Sequence, residues 1–210
     1  MKPIMSGFTK NNRHIEEVPV YYAVNKPNNM LSQFTDKLNR ETLASLHGIP
    51  QNVYPAGRLD NDSEGLLLLT NDKKIVDRLL SPEYEHEKEY LVQIEGIPAE
   101  KDLDKLRASV KIKDYKTKPA HVELLKNVPR LWERHPPIRF RASIPTSWLK
   151  IIITEGKNRQ IRKMTAAIGF PTLRLIRIRI CNIQLNNLKP GSFRQLSDDE
   201  IKGLLKLLGM

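Results

Sequence analysis

Leu66-Leu67-Leu68-Leu69 is a run of four leucines, with Gly65 before it and Thr70-Asn71-Asp72 after it. An apolar run this short, held between turn-forming residues, suits a strand buried on both faces better than an exposed helix. Directly ahead of it stands Ala56-Gly57-Arg58-Leu59-Asp60-Asn61-Asp62-Ser63-Glu64, a loop with three acids and one arginine. A buried strand is a rigid base from which such a loop can present a reactive carboxylate. By composition alone the acids also read as solvated turn residues.

The remaining pattern is one of short strands and interspersed helices. Val18 to Val24 reads as a strand ended by the turn Asn25-Lys26-Pro27-Asn28-Asn29, because proline cannot continue a ladder. Thr42 to His47 reads as a short helix closed by Gly48 and Pro50. A helix capped by Thr70 or Asn71 is predicted through Leu80. Lys88 to Glu95 alternates, with Tyr90, Val92 and Ile94 on one face of a strand. Pro98 to Ala108 reads as a helix, and 110–114 with 118–126 as a hairpin around a lysine-rich turn. From Asn127 to Ser147 the prolines at 129, 136, 137 and 145 interrupt any regular element.

A strand over 148–154 then turns through Glu155-Gly156-Lys157-Asn158 into a helix over about 159–168. Ile161, Met164 and Ile168 form its buried stripe, with Arg159, Arg162 and Lys163 on the other side. Leu173 to Ile180 alternates with one slip at Leu175-Ile176, where a bulge would return Arg174, Arg177 and Arg179 to a single face. Ser197-Asp198-Asp199-Glu200 is a capping box for a terminal helix. The fold class expected is α+β, with a mixed, mainly antiparallel sheet. Residues 1–18 read as a flexible basic tail.

Charge narrows the partner. Lys and Arg number 35 against 24 Asp and Glu, an excess of eleven that points to a polyanion, and to nucleic acid rather than membrane. No run of about 18 apolar residues exists for a membrane span, and the first residues lack the apolar core of a secretory signal. The single cysteine, Cys181, cannot form an internal disulfide and reads as a packed thiol in a reducing cytoplasm. The five histidines are scattered without zinc-type spacing, so no metal is expected. Between Ile138 and Asn182 ten Lys or Arg face one acid, Glu155, which suggests a continuous arginine-rich face for phosphate oxygens.

Four stretches fall in the order of a known family. Asn25-Lys26-Pro27; Gly57-Arg58-Leu59-Asp60-x-x-Ser63-x-Gly65 with Leu66 to Thr70; Lys88-x-Tyr90-Leu91-Val92; and Glu155-Gly156-x-Asn158-Arg159-Gln160-Ile161-Arg162-Lys163-Met164, followed by Leu175-x-Arg177, resemble the ribosomal-RNA pseudouridine synthases. The resemblance spans about residues 20 to 196. Its Gln-Ile-Arg-Lys-Met form is similar to the branch that holds small- and large-subunit enzymes, and most of all to its large-subunit members without an S4 RNA-binding domain. It implies one catalytic domain over 19–210 in two halves around an RNA cleft, no S4 domain, and isomerisation of a uridine in 23S rRNA. No cofactor and a monomer are expected.

Residue by residue, the resemblance makes Asp60 the catalytic aspartate, Tyr90 the aromatic beneath the base, and Arg162 the cation that keeps the aspartate ionised, with Lys163 as the second choice. The carboxylate can attack C1′, attack C6 or assist elimination at C2′; the residues leave all three open. Leu175 lines the pocket in this reading, and Arg58, Lys26, Lys88, Arg159 and Arg177 contact RNA. The rival reading is an inactive RNA-binding or ribosome-assembly protein on the same fold, and a third is a glycosidase that releases uracil.

Overall fold

A computed structural model describes residues 18–113, 115–139 and 143–210; the tail expected at the N-terminus lies almost wholly outside them. The strands are β1 (Tyr21–Lys26), β2 (Tyr54–Pro55), β3 (Glu64–Thr70), β4 (Lys88–Glu95), β5 (Lys111–Ile112), β6 (Tyr115–Lys116), β7 (His121–Leu124), β8 (Thr146–Ile153), β9 (Thr172–Ile180), β10 (Ile183–Gln184) and β11 (Phe193–Gln195). The α-helices are α1 (Lys73–Leu80), α2 (Glu100–Ala108), α3 (Gln160–Ala167) and α4 (Asp198–Leu207).

Among the described residues nine strands make one mixed sheet in the order β11-β1-β3-β9-β4-β8-β7, with β2 on β3 and β10 on β9. Strand β3 is buried along its whole length. Leu66 and Leu68 enter the core beneath α1 and α4, while Leu67 and Leu69 pack on Val24, Met30 and Leu43 on the other face. The leucine run is a central strand because neither of its faces meets water. On the same side as the second group, but across β9, β4 and β8, α2 and α3 cover a third core around Val92, Ile94, Leu149, Ile161 and Met164.

The pairing of β3 with β9 is parallel, Glu64 opposite Ile176 and Gly65 opposite Arg177. Gly65 makes that approach possible. A β-carbon at this position would lie 2.2 Å from the Arg177 carbonyl oxygen, and the backbone has φ +101°, a region that L side chains avoid.

Several local expectations are corrected. Strand β1 starts at Tyr21 and runs through Lys26, because its ladder with β3 continues to the Lys26–Gly65 pair. The short helix before Gly48 is a 3₁₀ turn over Leu43–Ser45. Helix α1 is capped by Asp72, whose carboxylate accepts from Lys74 and Ile75 N–H, since Asn71 is engaged with Val20 N–H instead. The expected hairpin is two separate pairings: β5 joins β6, and β7 joins β8 at the edge of the main sheet.

The bulge expected at Leu175-Ile176 falls elsewhere. Leu175 and Ile176 sit in register with Val92 and Leu91, and the register shifts on either side leave Ile178 and Leu173 as the extra residues. Arg177 therefore shares a face with Tyr90, whereas Arg174 and Arg179 stand on the opposite face, opposite Gln93 and Glu89. The three arginines do not form one surface.

The proline-rich segment is pinned to the sheet. Trp132 donates its indole N–H to Glu64 at 2.8 Å, and Arg174 grips the same buried carboxylate through two bonds of 2.8 and 2.9 Å. Asn28 donates to the His135 carbonyl and accepts from Arg134, each at 3.1 Å. We expect Gly65→Ala to lower stability by about 3 kcal/mol or more, because strain at positive φ adds to a backbone clash. Gly156→Ala, where nothing lies within 4 Å of the added carbon, should stay within about 0.5 kcal/mol. Denaturant titration of the two variants checks this.

Candidate active site

The loop from Ala56 to Ser63 crosses the sheet's front face just before β3, and almost every carbonyl along its tip is held. Ser32 accepts from Leu59 N–H at 3.0 Å and donates to Leu59 C=O at 2.9 Å. Ser63 N–H closes a turn on Asp60 C=O, and Asn29 N–H binds Asn61 C=O at 2.8 Å. Arg162 donates to Asp62 C=O at 2.7 Å and to Thr172 C=O at 3.3 Å. Satisfying these groups one by one removes the loop's freedom and fixes where the Asp60 carboxylate stands.

Lys26 completes this cradle. Its side chain is fully buried, and its ammonium donates to Pro27 C=O at 2.9 Å and Met30 C=O at 2.6 Å, reaching Asn61 C=O at 3.5 Å. Burial pushes its pKa down to about 8, against the pull of Glu64, Asp62 and Asp60. An RNA contact for Lys26 is thus overturned. The ladder continues through it, so its side chain points inward under the loop.

Asp60 keeps 30 % of its side chain exposed, and the guanidinium of Arg159 lies 3.6 Å from its carboxylate. Arg159 stands in the left-handed region (φ +51°) at the N-terminus of α3 and holds Asp62 through two bonds of 2.9 Å. Arg162, one turn along, reaches Asp62 at 3.4 Å. Burial opposes ionisation of Asp62, but these two arginines hold its carboxyl below the usual range. The direct cationic neighbour of Asp60 is Arg159 where Arg162 was expected; Arg162 is spent on the backbone and carboxylate of Asp62. Neither Arg162 nor Lys163 lines the cleft; the Arg162 guanidinium is turned to the Asp62 and Thr172 carbonyls.

Asp60 opens on a cleft of about 850 Å³ that Arg58, Lys88, Tyr90, Leu175 and Arg177 also line, a volume typical of small-ligand sites. Tyr90 is buried on β4, directly opposite Arg177. Leu175 sits beside it opposite Val92. Arg58 is exposed at the mouth. Glu155 and Gln160, both buried, bond each other at 2.5 Å and shape the turn into α3. Ser32 carried no sequence signal of its own, and Asn29 and Asp62 read only as turn residues, because each acts through partners remote in the chain.

With this arrangement in view, the family is plain: the chain belongs to the RNA pseudouridylate synthases, whose family model matches residues 20–167. It is 53% identical over 172 residues to the ribosomal large subunit pseudouridine synthase E of Vibrio parahaemolyticus, covering 82% of this chain and 71% of that one. To the protein of the same name from Xanthomonas axonopodis pv. citri it is 49% identical, over 80% and 88% of the two chains. Ribosomal large subunit pseudouridine synthase B of Bacillus subtilis is 36% identical, over 91% and 73%. A crystal structure of a pseudouridylate synthase resembles the fold with a TM-score of 0.75 at 28% identity, over 89% of this chain and 74% of that one. The α+β synthase fold expected from the motifs is the fold this chain has.

The cradle predicts a pH signature. The folded pKa of Lys26 is near 8, below the unfolded value of about 10.4. Between those values the unfolded chain binds the extra proton, so this group's contribution to stability rises with pH across that window. Lys26→Met takes this donor from the Pro27 and Met30 carbonyls, while Asn61 C=O keeps Asn29 N–H, and should destabilise by about 1–3 kcal/mol at pH 7. Its deficit against wild type should widen as pH goes from about 8 to 10, as read by chemical unfolding at each pH.

Proposed function

We propose that this enzyme isomerises a uridine of 23S ribosomal RNA to pseudouridine, using Asp60 as the acting carboxylate. The observation that carries the reading is the meeting of Asp60, Tyr90 and Leu175 in one cleft whose mouth carries Arg58 and lysines at 116, 118 and 157. The similarity to ribosomal large subunit synthases over most of the chain supports the choice of RNA.

In this reading the basic rim holds the RNA backbone, and the target base leaves its stack at a cost of a few kcal/mol. Tyr90 then lies against the uracil ring, with Leu175 closing the apolar wall. Asp60 meets the nucleotide at the glycosidic bond, with the Arg159 guanidinium 3.6 Å from its carboxylate. The N1–C1′ bond breaks, the base turns, and C5 joins C1′. Substrate and product contain the same atoms, so the chemistry calls for no redox cofactor and no energy donor. Residues 19–210 act as one catalytic unit in the cytoplasm, as a monomer and without a metal.

Asp60→Asn should abolish pseudouridine formation on 23S rRNA from cells that lack the protein, while its RNA Kd stays within about threefold. Nucleotide-resolution pseudouridine mapping checks the first and filter binding the second. Full activity in the variant would overturn the assignment of Asp60, and release of free uracil by wild type would show a glycosidase. RNA affinity should fall steeply as salt rises, and Arg58→Ala should reduce the slope of log Kd against log salt by about one.

A further inference from the structure

Four adjacent strands place Lys26, Gly65, Arg177 and Tyr90 in a single cross-strand row under the Asp60 loop. Arg177 is the unusual member. It is 5 % exposed, its Nε donates to Leu66 C=O at 2.8 Å, and its Nη2 is buried without any hydrogen-bond partner. Among the described residues no carboxylate pairs with it, in contrast to Arg159, Arg174 and Arg179, which each hold at least one.

Lys88 lies on the same face two residues from Tyr90 and also lines the cleft. Its ammonium donates to His86 C=O at 2.9 Å and likewise has no carboxylate partner among the described residues. Burial, and then repulsion from Arg177, hold its pKa below the ordinary lysine value. Two half-buried to buried cations side by side, one with an unused donor, are unfavourable until something electron-rich arrives.

The depth of Arg177 decides what that is. A backbone phosphate stays with the sugar chain at the rim, so the group that reaches the floor beside Tyr90 is the base. A guanidinium can only donate, and uracil offers it two acceptors, O2 and O4. When N1–C1′ breaks, the bonding pair remains on the ring and spreads onto those oxygens. A donor already aimed there stabilises the charge as it forms. The pair is returned as C5 bonds to C1′: C5 loses a proton, N1 gains one, and no oxidant or reductant enters.

Resting on the isomerase reading above, we propose that Arg177, through Nη2 and with Lys88 beside it, is a further catalytic residue that binds a uracil carbonyl oxygen and stabilises the charge it gathers during glycosidic cleavage. The site selects a base with a carbonyl at that edge.

The test is single-turnover kinetics on a 23S rRNA fragment whose target is uridine, 2-thiouridine or 4-thiouridine, sulfur being the weaker acceptor. Arg177→Gln should slow uridine conversion about 100-fold with RNA Kd within about threefold, and Arg177→Lys should recover about tenfold. One thio substrate should slow wild type, and on it the Arg177→Gln loss should shrink below about fivefold. Because Arg177 also holds Leu66, Lys88→Gln provides a variant that leaves that contact intact; it should lose about tenfold in rate with an unchanged melting temperature.

Equal losses on all three substrates would overturn the assignment. So would an effect on RNA Kd with the rate preserved, which marks a phosphate contact, or full rates in Lys88→Gln and Arg177→Gln while wild type makes pseudouridine. An inert wild type would instead overturn the isomerase reading, and this assignment with it.

Discussion

The contact between Gly65 and the backbone of Arg177 is the constraint on which the site depends. It lets β9 come alongside β3 where any β-carbon would keep it out. Once it forms, the row from Lys26 to Tyr90 is set across four strands, and the loop carrying Asp60 has a fixed floor beneath it. The floor's geometry is thus a property of the sheet's register, which alternation makes hard to slip by one residue.

Charge is organised around that floor by pairing. The segment rich in arginine has few acids of its own, but the fold supplies them from elsewhere: Asp62 to Arg159 and Arg162, Glu64 to Arg174, Glu87 and Glu89 to Arg179. These arginines act chiefly as internal braces. The cations that remain for a ligand are fewer and better placed, with Arg58 at the mouth and Arg177 and Lys88 inside. Net charge attracts the polyanion, while the unpaired subset decides where it sits.

Much of this was legible in the chain. The leucine run, the alternation of residues 88–95, the stripe of Ile161 and Met164 and the Ser197 capping box each report a local period or cap, and each lies where those rules put it. The motifs singled out Asp60, Tyr90 and Leu175, and the fold brings all three to one cleft. What failed was non-local. Lys26 read as a turn residue because nothing in its neighbours shows that β1 continues beneath a loop 35 residues later. The bulges in β9 depend on the register of β4, and the face of Arg174 and Arg179 followed from them. Likewise the role of the proline-rich segment is set by a tryptophan reaching Glu64, a contact that no spacing announces.

The parallel junction of β3 and β9 joins residues 64–65 to 176–177, and β4 enters the sheet between β9 and β8. During synthesis the aspartate loop emerges well before β9, so its floor waits for a strand made more than a hundred residues later. Such distant pairing is formed late. The nascent protein therefore exposes the loop and β3 while the cleft is still unbuilt, and the floor beneath Asp60 closes only once β9 has joined the sheet.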